Sequence, residues 1–258
     1  MDTETGLFRP ETAETREGRD WRIRSFVLRA GRMSPAQKRS YETLFPVYGF
    51  REEEVAAVVD PASLFGNKNP LVIEIGFGMG KATAIIAEQN PAVNYLGIEV
   101  HRPGIGRLLW EIDKRKLKNI RIAEGDATEV LGEKIQDLGV SAFHIFFPDP
   151  WPKKRHHKRR LITRPFTDLL AAKLLPGGYV CMVSDWADYA DWALRELSAT
   201  PGLKNKYDAF AERQSWRPQT EFERKGLLKN HEVRELFFYK TANDYKTANN
   251  ERGSGNEG

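Results

Sequence analysis

Four acids recur at comparable places along this chain: Glu74, Glu99, Asp126 and Asp149. Each stands near or just past the end of a short apolar run. Between the first two lies Gly76-Phe77-Gly78-Met79-Gly80. Glycine lets a backbone turn sharply and lets a ligand approach it closely. A dinucleotide loop needs G-x-G-x-x-G. Counted from Gly76, the third glycine falls on Lys81, and counted from Gly78 it falls on Thr83. A nicotinamide site is therefore disfavoured, and the G-K-[ST] of a P-loop is absent. Three alternating glycines behind Glu74 suit a ligand without a pyrophosphate. Glu99 follows Glu74 by 25 residues, close to the spacing at which an acid accepts from a ribose hydroxyl. With Asp126, the pattern points to a nucleoside-bearing cofactor.

A second concentration of chemistry runs from Phe143 to Ile162. An aromatic-rich apolar run is stopped by Pro148-Asp149-Pro150-Trp151-Pro152, and six cations and two histidines follow in Lys153–Arg160 without an acid. Proline cannot continue a central ladder, so Asp149 sits on a stiff turn at a strand end. The cluster beside it suits a polyanion, with each neutralised phosphate steepening the salt dependence by roughly 0.7–0.9 in log–log slope. Trp151 is either core or a stacking platform for an extruded base. His156 and His157 are adjacent, face different ways and make a poor metal pair.

The elements that must carry these residues alternate. Strands are expected at 71–75, 95–100, 120–123, 143–147, 179–184 and 234–240. Helices are expected at 52–59, 81–89, 105–117, 130–138, 166–175 and 189–197. Such alternation implies α/β architecture with a doubly wound, mostly parallel sheet. Ligands bind outside the carboxyl ends of such strands, which selects the same four acids. Asp185 follows the fifth of the apolar strands in the same way.

The chain has 258 residues, 40% of them hydrophobic, and carries a net charge of +4. Residues 1–20 hold −3 and residues 241–258 hold −1, so the body at 21–240 holds +8. A basic body is an electrostatic footprint for nucleic acid. Residues 1–20 read as a disordered acidic start, 21–41 as a basic arm forming a lid or surface strand, 42–240 as the catalytic domain, and 241–258 as a flexible polar tail. Arg22, Arg24, Arg29, Arg32, Lys38 and Arg39 populate the arm without an acid. No apolar run approaches a membrane span and the N-terminus lacks an apolar signal core. The single cysteine, Cys181, cannot form an internal disulfide. A reducing, cytoplasmic location without a metal is expected.

The stretch from Glu74 through Gly80 resembles the first motif of class I S-adenosylmethionine-dependent methyltransferases. Gly97-Ile98-Glu99, Gly125-Asp126-Ala127, the Phe146–Arg160 run and Thr220-Glu221-Phe222-Glu223 with Arg224-Lys225-Gly226 resemble one family closely. That family is the bacterial tRNA (guanine-N7-)-methyltransferases, and the likeness covers roughly residues 40–240. It implies a Rossmann-like seven-stranded sheet whose last strand is antiparallel. It implies methyl transfer from S-adenosylmethionine to N7 of guanine 46 in the variable loop of tRNA, by a monomer or homodimer. By motif position, Glu74, Gly76, Gly78, Gly80, Glu99, Asp126 and Asp149 bind the cofactor, and Asp149 is also catalytic. Lys153, Asp185, Thr220, Glu221, Phe222 and Glu223 contact substrate. Arg155, His156, His157, Lys158, Arg159 and Arg160 contact RNA. Asp149 grips the guanine, the cofactor or both. The rival readings are a class I methyltransferase on another substrate and a non-catalytic RNA-binding relative.

Overall fold

A computed structural model describes residues 24–26, 31–220, 222–224 and 232–242. Residues 1–23, 27–30, 221, 225–231 and 243–258 lie outside them, which takes in the acidic start, part of the basic arm, Glu221, Lys225, Gly226 and nearly all of the polar tail. Among the described residues eight strands form one sheet: β1 (Gly49–Arg51), β2 (Leu71–Ile75), β3 (Asn94–Glu99), β4 (Ile120–Glu124), β5 (Val140–Phe146), β6 (Leu174–Ser184), β7 (Leu203–Asn205) and β8 (Arg234–Lys240). Their order is β1-β4-β3-β2-β5-β6-β8-β7. The last strand, β8, is antiparallel to both neighbours, and the other pairings are parallel. The fold class is as expected, with a short edge strand added to the seven.

β2 is buried along its whole length, as a strand covered by helices on both faces must be. Among the described residues the sheet is flanked by the α-helices α1 (Pro35–Tyr48), α2 (Pro61–Phe65), α3 (Lys81–Gln89), α4 (Arg102–Arg115), α5 (Ala127–Glu129), α6 (Arg164–Lys173) and α7 (Ala187–Ser198). One core cluster gathers Ile73, Phe143, Ile145, Leu170 and Tyr189 on one face of the sheet. The other gathers Val72, Phe77, Leu108, Ile112 and Cys181. Cys181 is fully buried, and burial pushes its thiol up to about 12. It is a small apolar filler, not a nucleophile.

Three expectations about elements are corrected. The 52–59 stretch is not a helix; it holds a 3₁₀ turn at Glu52–Glu54, and α2 begins at Pro61. Asp60 caps that helix by accepting from the Ala62 and Ser63 N–H groups, so the proline opens a helix instead of closing one. The 130–138 helix is a short α5 capped by Asp126, followed by a π turn at Val130–Lys134. The basic arm is helix and not strand at its end. Residues 35–48 form α1, with a capping box between Ser34 and Gln37.

Candidate active site

The four strand-end acids converge as the topology demands. β2 and β5 lie side by side at the centre of the sheet, with β3 and β4 beyond β2. Glu74 is on β2, Glu99 ends β3, Asp126 follows β4 and Asp149 follows β5. Three adjoining cavities connect them. One, of about 230 Å³, is lined by Gly76, Glu99, Gly125, Phe147, Asp149 and Leu161. A second, of about 500 Å³, includes Arg24, His101, Arg102 and Asp126. A third, of about 650 Å³, includes Glu74, Gly78, Gly80, Phe147, Thr220 and Phe222.

The glycine loop is held by its backbone. Gly76, Gly78 and Gly80 have φ of 71°, 58° and 68°, a left-handed conformation that side chains disfavour. The alternating spacing thus follows from three left-handed turns. The Gly76 N–H donates to Ile98 O at 2.9 Å, and the Gly78 N–H donates to Glu99 Oε2 at 2.9 Å. Glu99 Oε1 accepts from the Val100 and His101 N–H groups at 2.8 and 3.0 Å. Burial raises the Glu99 pKa and these N–H groups oppose it. Sequence reasoning missed Gly104 of α4. A Cβ there would stand 2.0 Å from Gly78 O, so its absence is what lets the helix and the loop meet.

Glu74 is 3% exposed, and burial pushes its carboxyl up to about 7, against a weaker pull from Thr83. A buried carboxyl facing a cavity suits a cationic ligand, whose charge would favour the ionised form. Beside it in register on β5 is His144. Burial holds His144 down to about 3, its Nε2 lies 3.1 Å from Tyr179 Oη, and it stacks on Phe146 and Trp216. It is a neutral packing residue, not a base. Asp126 spends one oxygen on the Thr128 N–H, at 2.8 Å.

Asp149 is exposed and lines the smallest cavity. Its loop is held at both ends. Phe147 and Trp151 have φ of 54° and 46°, and the Phe147 N–H donates to Val183 O at 2.8 Å. Trp151 is half-buried. Its indole N–H donates to Ser25 O at 3.0 Å, and its ring carries the Arg159 guanidinium at 5.1 Å. It ties the early chain to the loop.

The basic run divides. Lys153, Arg155 and Lys158 are exposed, His156, His157 and Arg159 half-buried, and Arg160 is 2% exposed. Partial burial and the flanking Arg155 and Arg159 hold the His156 pKa below its usual range. The position of Arg160 corrects the expected RNA contact. Its Nε donates to Pro150 O at 3.1 Å, it pairs with Asp188, and its guanidinium lies over Tyr189 and Trp192. It braces the Asp149 loop from below. Arg160→Ala is expected to cost roughly 2 kcal/mol or more of stability and to leave the salt slope of tRNA binding unchanged. Arg159→Ala is expected to lower that slope by about 0.7–0.9. Filter binding across a salt series, with thermal melting, checks both.

Of the other expected substrate contacts, Thr220 and Phe222 line the 650 Å³ cavity, and Asp185 follows β6. Glu223 is 2% exposed and turned into the body. Glu221 lies outside the described residues. Among the described residues no group of His, Cys, Asp or Glu could hold a metal ion, and no helix is long and apolar enough to cross a membrane.

A family model described as "Putative methyltransferase" matches residues 68–236. The tRNA (guanine-N(7)-)-methyltransferase of Nitrosospira multiformis is 48% identical over 218 residues, spanning 84% of this chain and 94% of its own. That of Alkalilimnicola ehrlichii is 47% identical over 220 residues, spanning 84% and 92%. The crystal structure of the 16S rRNA methyltransferase KamB aligns at a TM-score of 0.51 and 16% identity, covering 85% of this chain and 99% of that one, a likeness of fold. At this identity over most of both chains, the chain belongs to the tRNA (guanine-N(7)-)-methyltransferase family.

Proposed function

We propose that this chain transfers the methyl group of S-adenosylmethionine to N7 of guanine 46 in the variable loop of tRNA. The observation that carries the reading is the position of the Asp149 loop. It stands where the Glu99 cavity and the Thr220 cavity meet, with Phe147 and Gly76 in the walls of both, and it runs directly into the basic turn.

The residues present fit the cofactor. Glu99 at the end of β3 is placed to accept from ribose hydroxyls. Ile98, Ala127 and Leu161 give apolar walls for an adenine. Buried Glu74 suits the cationic amino-acid end, and the glycine loop allows close approach. Bound there, S-adenosylmethionine supplies an electrophilic methyl group on a sulfonium. Guanine N7 presents an in-plane lone pair and no proton, so no general base is needed. The protein's task is alignment and exclusion of water. Asp149 accepts from the guanine N1–H and amino group, or orients the cofactor's ammonium. Adenine lacks that donor pattern. Thr220 and Phe222 frame the base, while Lys153, Arg155, Lys158 and Arg159 face phosphate.

Nucleoside analysis of tRNA from a deletion strain tests the reading. Loss of 7-methylguanosine is expected, and its persistence would sink the proposal.

Glu74 adds a pH dependence. Its folded pKa is raised, so its favourable contribution to stability is present below the unfolded carboxyl pKa. That contribution is lost as pH rises through about 7. A cationic ligand reverses the preference. Affinity for S-adenosylmethionine is expected to rise from about pH 6 to about pH 8 with proton release, and Glu74→Gln to abolish that release. Calorimetry in buffers of different ionisation heat measures it; equal heats for the wild-type protein would refute it.

A further inference from the structure

Arg217 is 1% exposed and sits between three parts of the site. Its Nη1 and Nη2 donate to Glu223 Oε2 and Oε1 at 2.6 and 2.8 Å. Its Nε and Nη2 donate to Glu235 Oε1 at 3.0 and 2.5 Å. Its guanidinium lies 5.9 Å from the rings of Phe146 and Phe147, just ahead of the Asp149 turn. All three partners in the ion triad are buried.

Each acid is used up in the triad. Glu223 Oε2 also accepts from the Thr220 N–H at 3.4 Å, and the Glu223 N–H donates to Thr220 Oγ1 at 3.0 Å. Glu235 Oε2 accepts from the Gln214 N–H at 3.1 Å. Burial works to raise the Glu223 pKa, and the Arg217 hydrogen bonds outweigh it and lower it. A carboxylate committed in this way has no oxygen free for substrate. A buried charge pair of this kind is weak evidence for stability and better evidence for a fixed arrangement. The planar guanidinium supplies two parallel donors to one carboxylate, which a lysine cannot.

We propose that Arg217 is a positioning residue: it clamps Glu223 to Glu235 on β8 and so holds Thr220 and Phe222 in the wall of the 650 Å³ cavity beside Phe147. Glu223 is then the anchor of the substrate segment and not a substrate contact. The inference rests on the tRNA-methylating function proposed above.

Methyl incorporation into purified tRNA, calorimetric binding of S-adenosylmethionine and thermal melting test it together. Arg217→Lys is expected to lower kcat/KM for tRNA about 10²-fold while cofactor affinity stays within about twofold. Glu223→Gln is expected to lose activity in the same way, and the double variant to lose little more than Arg217→Lys alone, because the two act as one unit. Should Arg217→Lys fail to fold, Glu235→Gln keeps the acceptor and removes one charge, with a loss of about tenfold expected. Wild-type kcat/KM in the variants that fold, losses that multiply in the double variant, or an equal loss of cofactor binding would overturn the clamp. A wild-type protein that transfers no methyl to tRNA would instead overturn the underlying function.

Discussion

Asp149→Asn is expected to lower turnover on saturating tRNA by about 10²-fold with no loss of fold. The substitution keeps shape and removes charge at an exposed position. Surface changes of this kind move stability by no more than about 0.5 kcal/mol. The loss should come from misaligned reactants, since Asp149 lines the cleft and lies on a loop already fixed at both ends. It should also be the same across the pH range in which the wild-type protein works. A general base would instead leave a titration step in the ratio of the two rates. Single-turnover methyl transfer at several pH values measures both. Full turnover in the variant would remove Asp149 from the centre of the mechanism.

Gly104→Ala is expected to be as damaging, from a residue with no side chain to contribute. The added Cβ would meet Gly78 O at 2.0 Å and Gly78 C at 3.0 Å. Both are backbone atoms, so either the glycine loop or the start of α4 must move. Overpacking costs typically about 1–3 kcal/mol, and a loop displaced by an ångström costs about 10²-fold in function. Affinity for S-adenosylmethionine should fall accordingly. Gly132→Ala is the control, because a Cβ there meets nothing within 4 Å. Calorimetric titration of both variants decides the matter. Wild-type affinity in Gly104→Ala would show that the loop yields without cost.

What was legible in the chain follows from the range of the interactions concerned. β2, β3 and β5 were readable because fully buried strands are continuous apolar runs. β1 and β7 have three residues each, too few for any period to register. α1 hid behind its cations, although Ser34-Pro35-Ala36-Gln37 carries a helix-start signal that a reading by charge passes over. The strand-end acids were accessible because topology alone selects them. Gly104 was not, since its demand comes from a carbonyl 26 residues earlier in the chain. Arg160 was misread for a related reason. A run of six cations gives no sign of which one turns inward, and only Pro150, Asp188, Tyr189 and Trp192 together reveal it.

The left-handed backbone at Phe147 and Trp151 bears on kinetic order. Bulky residues in that region cost of the order of 1–3 kcal/mol each, and the prolines between them narrow the alternatives open to the loop. The strain is held by bonds within the chain: the Phe147 N–H on Val183, the Trp151 indole on Ser25, and Arg160 on Pro150. None of these involves a ligand. The acid is therefore in place before either reactant arrives, so building the Asp149 position obliges neither to bind first. Any compulsory sequence of binding would have to arise elsewhere in the molecule, from an element that a ligand itself must arrange.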